Sequence, residues 1–135
     1  MPIEYEIDAD RRRVVARGTG TVTEQDIYAY QLDVWSRPEV AGFDQIVDMS
    51  AADHIDVPVP SADGMRDLAA LAAGMDHPSQ PSRFAIVAPG DLAFGLGRMY
   101  STYRELDPRS TKAVRVFRTM DEALAWLDAP MDTEP

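Results

Sequence analysis

The run Arg83-Phe-Ala-Ile-Val-Ala88 is the feature that most limits the fold. It is apolar at consecutive positions, not alternate ones, and turn residues bound it on both sides. A strand of that kind is covered on both faces, which is the situation of a central parallel strand between helical layers. The chain is therefore expected to be an α/β domain built around residues 83–88.

The rest of the chain falls into place around that strand. Ile3, Tyr5 and Ile7 alternate with Glu4, Glu6 and Asp8, the period of a half-buried strand. Residues 12–19 read as a second strand, and the short turn between them makes an antiparallel hairpin. Thr23, with Asp26 three residues on, approximates a capping box for a helix that reaches Ser36, before Arg37-Pro38. Ile27, Tyr30 and Val34 form one stripe on it, and Tyr28, Leu32 and Trp35 a second beside it. Together they cover more of the helix than one sheet contact requires.

Asp44–Met49 reads as a short buried strand around Ile46-Val47, followed by a loop over 48–61 with Pro58 and Pro60. A helix from Ser61 follows, with Gly74 as its C-terminal cap. Asp91 is placed to cap a third helix through Leu92, Leu96, Met99, Tyr103 and Leu106, which Asp107-Pro108 ends. Ala113–Phe117 is the last strand, and Thr119 with Glu122 caps a final helix carrying Leu124 and Leu127. The order is β-β-α-β-α-β-α-β-α. Strands separated by helices run parallel with right-handed crossovers, so the sheet is mixed and mainly parallel, with the hairpin at one edge. Residues 1–128 make one domain and 129–135 a disordered tail.

The chemistry open to such a chain is bounded by what it lacks. Its 135 residues contain no cysteine, which excludes disulfides, thiolate nucleophiles and cysteine-based zinc sites. No apolar run approaches the length of a membrane span, and the N-terminal residues have no apolar signal region, so the expected location is cytoplasmic. With 23 acidic against 13 basic residues the formal net charge is −10, which repels nucleic acid and anionic lipid. The basic cluster Arg11-Arg12-Arg13 reads as a solvated hairpin turn.

Ligands of open α/β sheets gather at the carboxyl ends of the strands. The richest segment there is Asp48-Met-Ser-Ala-Ala-Asp-His-Ile-Asp56, with Asp48, Ser50, Asp56 and Ser61 as a candidate loop site. Asp48, Asp53, His54 and Asp56 are potential metal donors, but their spacing fits no ligand frame, so no metal is expected. Ser50 or Ser61 with His54 would be the raw material of a hydrolase, yet no G-x-S-x-G turn is present. His77 reads as a surface residue. Gly95-Leu96-Gly97 falls inside a helix instead of a strand-to-helix turn, so it is not a phosphate loop. Its glycines serve either close packing on the sheet or a helix that lifts to admit a ligand. Phe94, Gly95, Gly97, Met99 and Tyr103 are the candidate lining of such a ligand site. No cofactor is expected, and no catalytic residue is assigned.

With these residues in view, the chain resembles STAS domains, the fold of bacterial anti-sigma factor antagonists, from its start to about Leu127. Asp48–Asp56 looks like the D-L-S-x-x-x-x-I-D segment of that family. In phosphorylated members a Ser-Ser-Gly follows at once. Here Val57-Pro-Val-Pro60 intervenes, and Ser61 in Ser61-Ala-Asp-Gly64 is the nearest counterpart. Phe94–Tyr100, and Phe117-Arg118 with Asp121–Leu127, resemble the SpoIIAA-like branch. The resemblance implies a non-enzymatic regulatory module that contacts a protein partner or a second copy of itself. The branch is also similar in fold to CRAL-TRIO lipid-binding domains, which implies the alternative of a small apolar or lipid-like ligand beneath the helix at 91–106.

Overall fold

A computed structural model describes residues 3–56, 62–76 and 82–130. Strand β1 (Ile3–Asp8) turns into β2 (Arg13–Thr23), and helix α1 (Glu24–Tyr30) continues as a π-helical turn over Gln31–Trp35. A short 3-10 turn at Pro38–Val40 leads to β3 (Asp44–Asp56), α2 (Ala62–Met75), β4 (Ser82–Val87), α3 (Asp91–Leu106), β5 (Lys112–Phe117) and α4 (Met120–Asp128). The five strands lie in the order β1-β2-β3-β4-β5. The β1–β2 pair is antiparallel and the other three are parallel. The expected α/β order and mixed sheet are present, with β4 at an inner position as its uninterrupted apolar run requires.

Local chemistry explains most boundaries. Thr23 Oγ1 accepts from Asp26 N at 3.1 Å while Asp26 Oδ2 accepts from Thr23 N at 2.9 Å, a complete capping box. Thr119 Oγ1 accepts from Glu122 N at the head of α4. Asp107 ends α3 in extended backbone before Pro108.

Other boundaries differ from the expectation. Gly90 is the N-cap of α3, and Asp91 is its first residue. Gly74 lies inside α2, not after it. Ser61 and His77 lie outside the described residues. The largest difference concerns β2 and β3. Both run on past the expected ends, and Thr19–Thr23 pair with Ala51–Asp56 through two register shifts. The glycines and short polar residues there are poor strand formers taken singly. Each segment is extended because the other supplies its ladder, so β3 continues through Asp56 where a loop was expected from residue 48.

The two faces of the sheet are covered unequally. Val14, Ala16, Val47 and Phe84 face α1, α2 and α3 in the larger core, which also holds Leu68 and Tyr100. Ile46, Ala85 and Val87 face the opposite way and meet Ala123 and Leu127 of α4. Alternate residues of one apolar run thus serve two cores. The arginine cluster is less solvated than its composition suggests. Arg13 is buried and bonds Asp128 at 2.9 Å, and Arg12 stacks its guanidinium on Phe43. Arg83, also buried, donates to the carbonyls of Trp126, Ala129 and Pro130, which places a cation at the C-terminal end of α4. Residues 131–135 of the expected tail lie outside the described residues.

At the amino end of β5 one carboxylate collects four donors. Asp76 Oδ2 accepts from Arg104 Nη2 at 2.6 Å, Thr111 N at 2.7 Å, Lys112 N at 3.1 Å and Ser110 Oγ at 3.4 Å. The two charged side chains are only 1% and 2% exposed. Removing one partner of a buried ion pair strands the other charge. Asp76→Ala is therefore expected to cost about 3–5 kcal/mol in urea unfolding, and adding Arg104→Met is expected to recover part of that loss.

Lys112 beside this node donates to Phe43 O at 2.9 Å and to Ser82 Oγ. Burial pushes its ammonium down to about 8. Between that value and the ordinary lysine range the unfolded chain binds more protons than the folded one, so stability rises with pH there. From pH 8 to pH 10 wild type is expected to gain on the order of 1–2 kcal/mol over Lys112→Met. Below pH 8 the cost of the buried charge is fully present. Urea unfolding at both pH values measures the difference.

Candidate functional site

Extension of β3 disperses the acidic candidates. Asp48 is buried, accepts from Ser50 N at 2.9 Å and faces Arg17 Nε at 3.8 Å. Ser50, Asp53 and His54 are exposed along the same strand, and Asp56 pairs with Thr23 at its end. At about 3.3 Å per residue, Asp48 and Asp56 stand roughly 26 Å apart. Ser50 and His54 are about 13 Å apart by the same rise, far beyond a hydrogen bond. Among the described residues no three His, Asp or Glu side chains come together to hold a metal ion.

Beneath α3 the structure holds a cavity of about 80 Å³ between the sheet and the three helices. Tyr30, Gln31 and Trp35 line it from the first helix, Met65 and Leu68 from α2, and Ala93, Leu96, Gly97 and Tyr100 from α3. Val47, Met49, Ile55, Phe84, Ile86 and Ala88 form its floor along β3 and β4. The half-buried members Ile27, Ile55, Ile86 and Ala93 lie toward the carboxyl end of the sheet, so the cavity opens there. Its inner end is aromatic. Trp35 meets Phe84 edge-on at 5.0 Å, and Phe84 meets Tyr100 at 5.8 Å.

Of the five residues expected to line a site under this helix, Gly97 does so. A side chain there would approach both methyls of Val116 at 3.2 Å, so this glycine is a packing residue. Gly95 faces open space. Phe94 lies under the guanidinium of Arg118, which also bonds Asp91 and the carbonyl of Pro89. Met99 and Tyr103 pack on the edge of the core. Tyr103 also borders a shallow groove with Leu106 and Arg109. Helical spacing placed the apolar stripe one position away from the face that is buried, which is Leu96, Gly97, Tyr100 and Arg104. A tyrosine and an arginine do not advertise themselves as core residues. Arg104 is buried because Asp76, Ser110 and the Tyr100 hydroxyl receive its donors.

Tyr30 and Trp35 are the cavity residues that sequence reasoning did not single out. Both were legible as apolar helix positions, but on separate stripes. The wider π-helical turn brings Gln31 and Trp35 round to the side of Tyr30 and Val34, and all four are buried. Tyr28 and Leu32 stay outside. Tyr30 Oη and Trp35 Nε1 are both buried, with the indole N–H beside the phenol. Burial pushes the Tyr30 phenol well above its ordinary range, and the neighbouring indole offsets only part of the rise. Burial also pushes Tyr100 up, to about 12, against the pull of Arg104. An interior with these properties favours neutral over anionic groups.

This architecture defines an α/β domain of the SpoIIAA-like fold. An uncharacterised protein of the DUF3478 family with a SpoIIAA-like fold, from Shewanella loihica, is similar across 93% of this chain and 91% of its own, at a TM-score of 0.50 and 19% identity. An anti-sigma factor antagonist from Mycobacterium paratuberculosis is 17% identical over 94% of this chain and 95% of its own, at a TM-score of 0.46. No protein-family profile and no curated protein sequence matches the chain. No helix among the described residues is long and apolar enough to cross a membrane.

The two helix glycines are expected to respond differently. Gly95→Ala should raise stability by about 1 kcal/mol, the helix propensity difference. Gly97→Ala should forfeit that gain against Val116. Urea unfolding of the two variants checks this.

Proposed function

We propose that the chain is a non-enzymatic regulatory module that acts through protein–protein contact at the outer face of its first helix. The observation that carries this reading is the exposure of Tyr28 and Leu32, 40% and 48%, one turn apart beside a helix that already buries Tyr30, Val34 and Trp35. An aromatic and a leucine on one exposed turn are the kind of anchor that seats in a partner's pocket. The net charge of −10 opposes pairing with a second equally acidic copy, so the expected partner presents an apolar pocket with a basic rim. The SpoIIAA-like fold supports the reading at the level of architecture only.

The cavity beneath α3 supports a second reading, a binder of a small apolar ligand. The two readings use opposite faces of the first helix and are compatible.

Affinity capture with wild type against the double variant Tyr28→Glu/Leu32→Glu tests the first. The same identified protein is expected to be retained by wild type and lost with the variant, at an unchanged melting temperature. Equal retention by both would remove the proposed surface.

A further inference from the structure

We propose that the outer edge of β5 takes an extended segment of a partner protein as a sixth strand, with a glutamate or aspartate of that segment bonded to Arg115. This edge is separate from the outer face of the first helix and from the cavity. Arg115 is a cation held in place with nothing to bond. Its side chain is exposed, and its guanidinium lies over the rings of Phe117 at 5.2 Å and Trp126 at 5.5 Å. The two rings meet each other at 5.6 Å and are half-buried against the core on the α4 side. Among the described residues Arg115 has no hydrogen bond and no ion pair. Stacking uses the faces of a guanidinium. Its N–H groups lie in the plane, so the fork stays free to grip a carboxylate with two bonds.

The strand that carries Arg115 is the last of the sheet, so one side of it has no neighbouring strand. Phe117 O accepts from Ala88 N, which turns the odd-numbered backbone groups of β5 toward β4 and the even-numbered ones outward. The amino half of the outer edge is already engaged. Asp76 Oδ2 accepts from Lys112 N, and Val114 O accepts from Ser101 Oγ at 3.1 Å. Val116 comes next with its N–H and C=O outward, and among the described residues no bond reaches them. An open edge of this kind pairs with an added strand.

Charge and pleat define the occupant. Residues 112–118 carry Lys112, Arg115 and Arg118 and no acid, in a chain of net charge −10. Lys112 is bonded to Phe43 O and Ser82, and Arg118 to Asp91, so Arg115 alone of the three is open. One carboxylate complements it, whereas a run of acids would be repelled by the rest of the molecule. Side chains two apart share one face of a strand, and directly opposed residues on neighbouring strands have Cβ atoms about 5 Å apart. An acid opposite Arg115 therefore puts the residue two positions on opposite Phe117, where an aliphatic side chain covers the exposed part of the ring. The occupant is an extended segment with an acid and an aliphatic residue at alternate positions.

The test titrates the full ¹⁵N-labelled chain with the peptide acetyl-Thr-Val-Thr-Glu-Thr-Val-Thr-amide, whose pattern is the same in both strand directions, and with its glutamine analogue. Saturable shifts of the Val116 amide, the Arg115 Nε–H and the Trp126 indole N–H are expected with the first peptide. Trp35, buried on the other side of the sheet, is the reference and should not move. The glutamine peptide should bind about tenfold more weakly, the worth of one charge-assisted hydrogen bond. Arg115→Lys keeps the charge that would merely guard an edge but loses the stacked fork, and should lose the same factor. Equal affinity for the two peptides, or for wild type and Arg115→Lys, would overturn the carboxylate assignment. Shifts confined to residues away from β5, or no saturable change, would overturn the docking edge. The wild-type comparison of the two peptides decides the outcome even if the variant fails to fold.

Discussion

The carboxylate of Asp76 joins three elements that would otherwise meet only through side-chain packing. It sits just past the end of α2, takes the guanidinium of Arg104 from α3, and accepts the first backbone amides of β5. Arg104 in turn fixes the Tyr100 hydroxyl, and Tyr100 forms one wall of the cavity. The spacing between α3 and the sheet is thus set from the far end of the helix by a charge pair that cannot slide without losing four hydrogen bonds. A buried pair of this kind contributes little net stability against an apolar replacement. Its effect is positional, because it permits one register of α3 over β5.

The two sides of the sheet solve the covering problem differently. On the α4 side, arginines anchor a short helix: Arg83 binds the carbonyls at its end and Arg13 its last acid. On the other side three helices enclose an aromatic series, Tyr5, Tyr30, Trp35, Phe84 and Tyr100, in edge-on and tilted contacts between 5.0 and 6.1 Å. Rigid rings meeting edge-on fill space less completely than branched aliphatics. The cavity lies where this series meets the small residues Gly97, Ala88 and Ala93.

The first helix links two of the proposed binding surfaces. Its π-helical turn moves Trp35 inward and leaves Tyr28 and Leu32 outside, so one element lines the cavity with aromatic rings and presents an apolar turn to solvent. An occupant of the cavity would bear on the same helix whose outer face is proposed to meet a partner.

Order and class of the elements were determined by the sequence alone. Thr23 with Asp26 and Thr119 with Glu122 mark helix starts through contacts within one turn, and the run at residues 83–88 demands cover on both faces wherever it is placed. Those signals are local, so they survive without a partner. The resemblance to the SpoIIAA-like fold rested on the same order and agrees with the structure. What only the tertiary structure decided depends on residues far apart in the chain. Strand character at Ala51–Asp56 comes from pairing with Thr19–Thr23, which turned an expected loop site into a dispersed row of side chains. Burial of Arg104 comes from Asp76, 28 positions away. The identity of the cavity wall comes from a rotation of one residue position in α3 and a widened turn after α1. Hydrophobic periodicity reports which face of an element is apolar, but the exact rotation and register are set by the elements it meets.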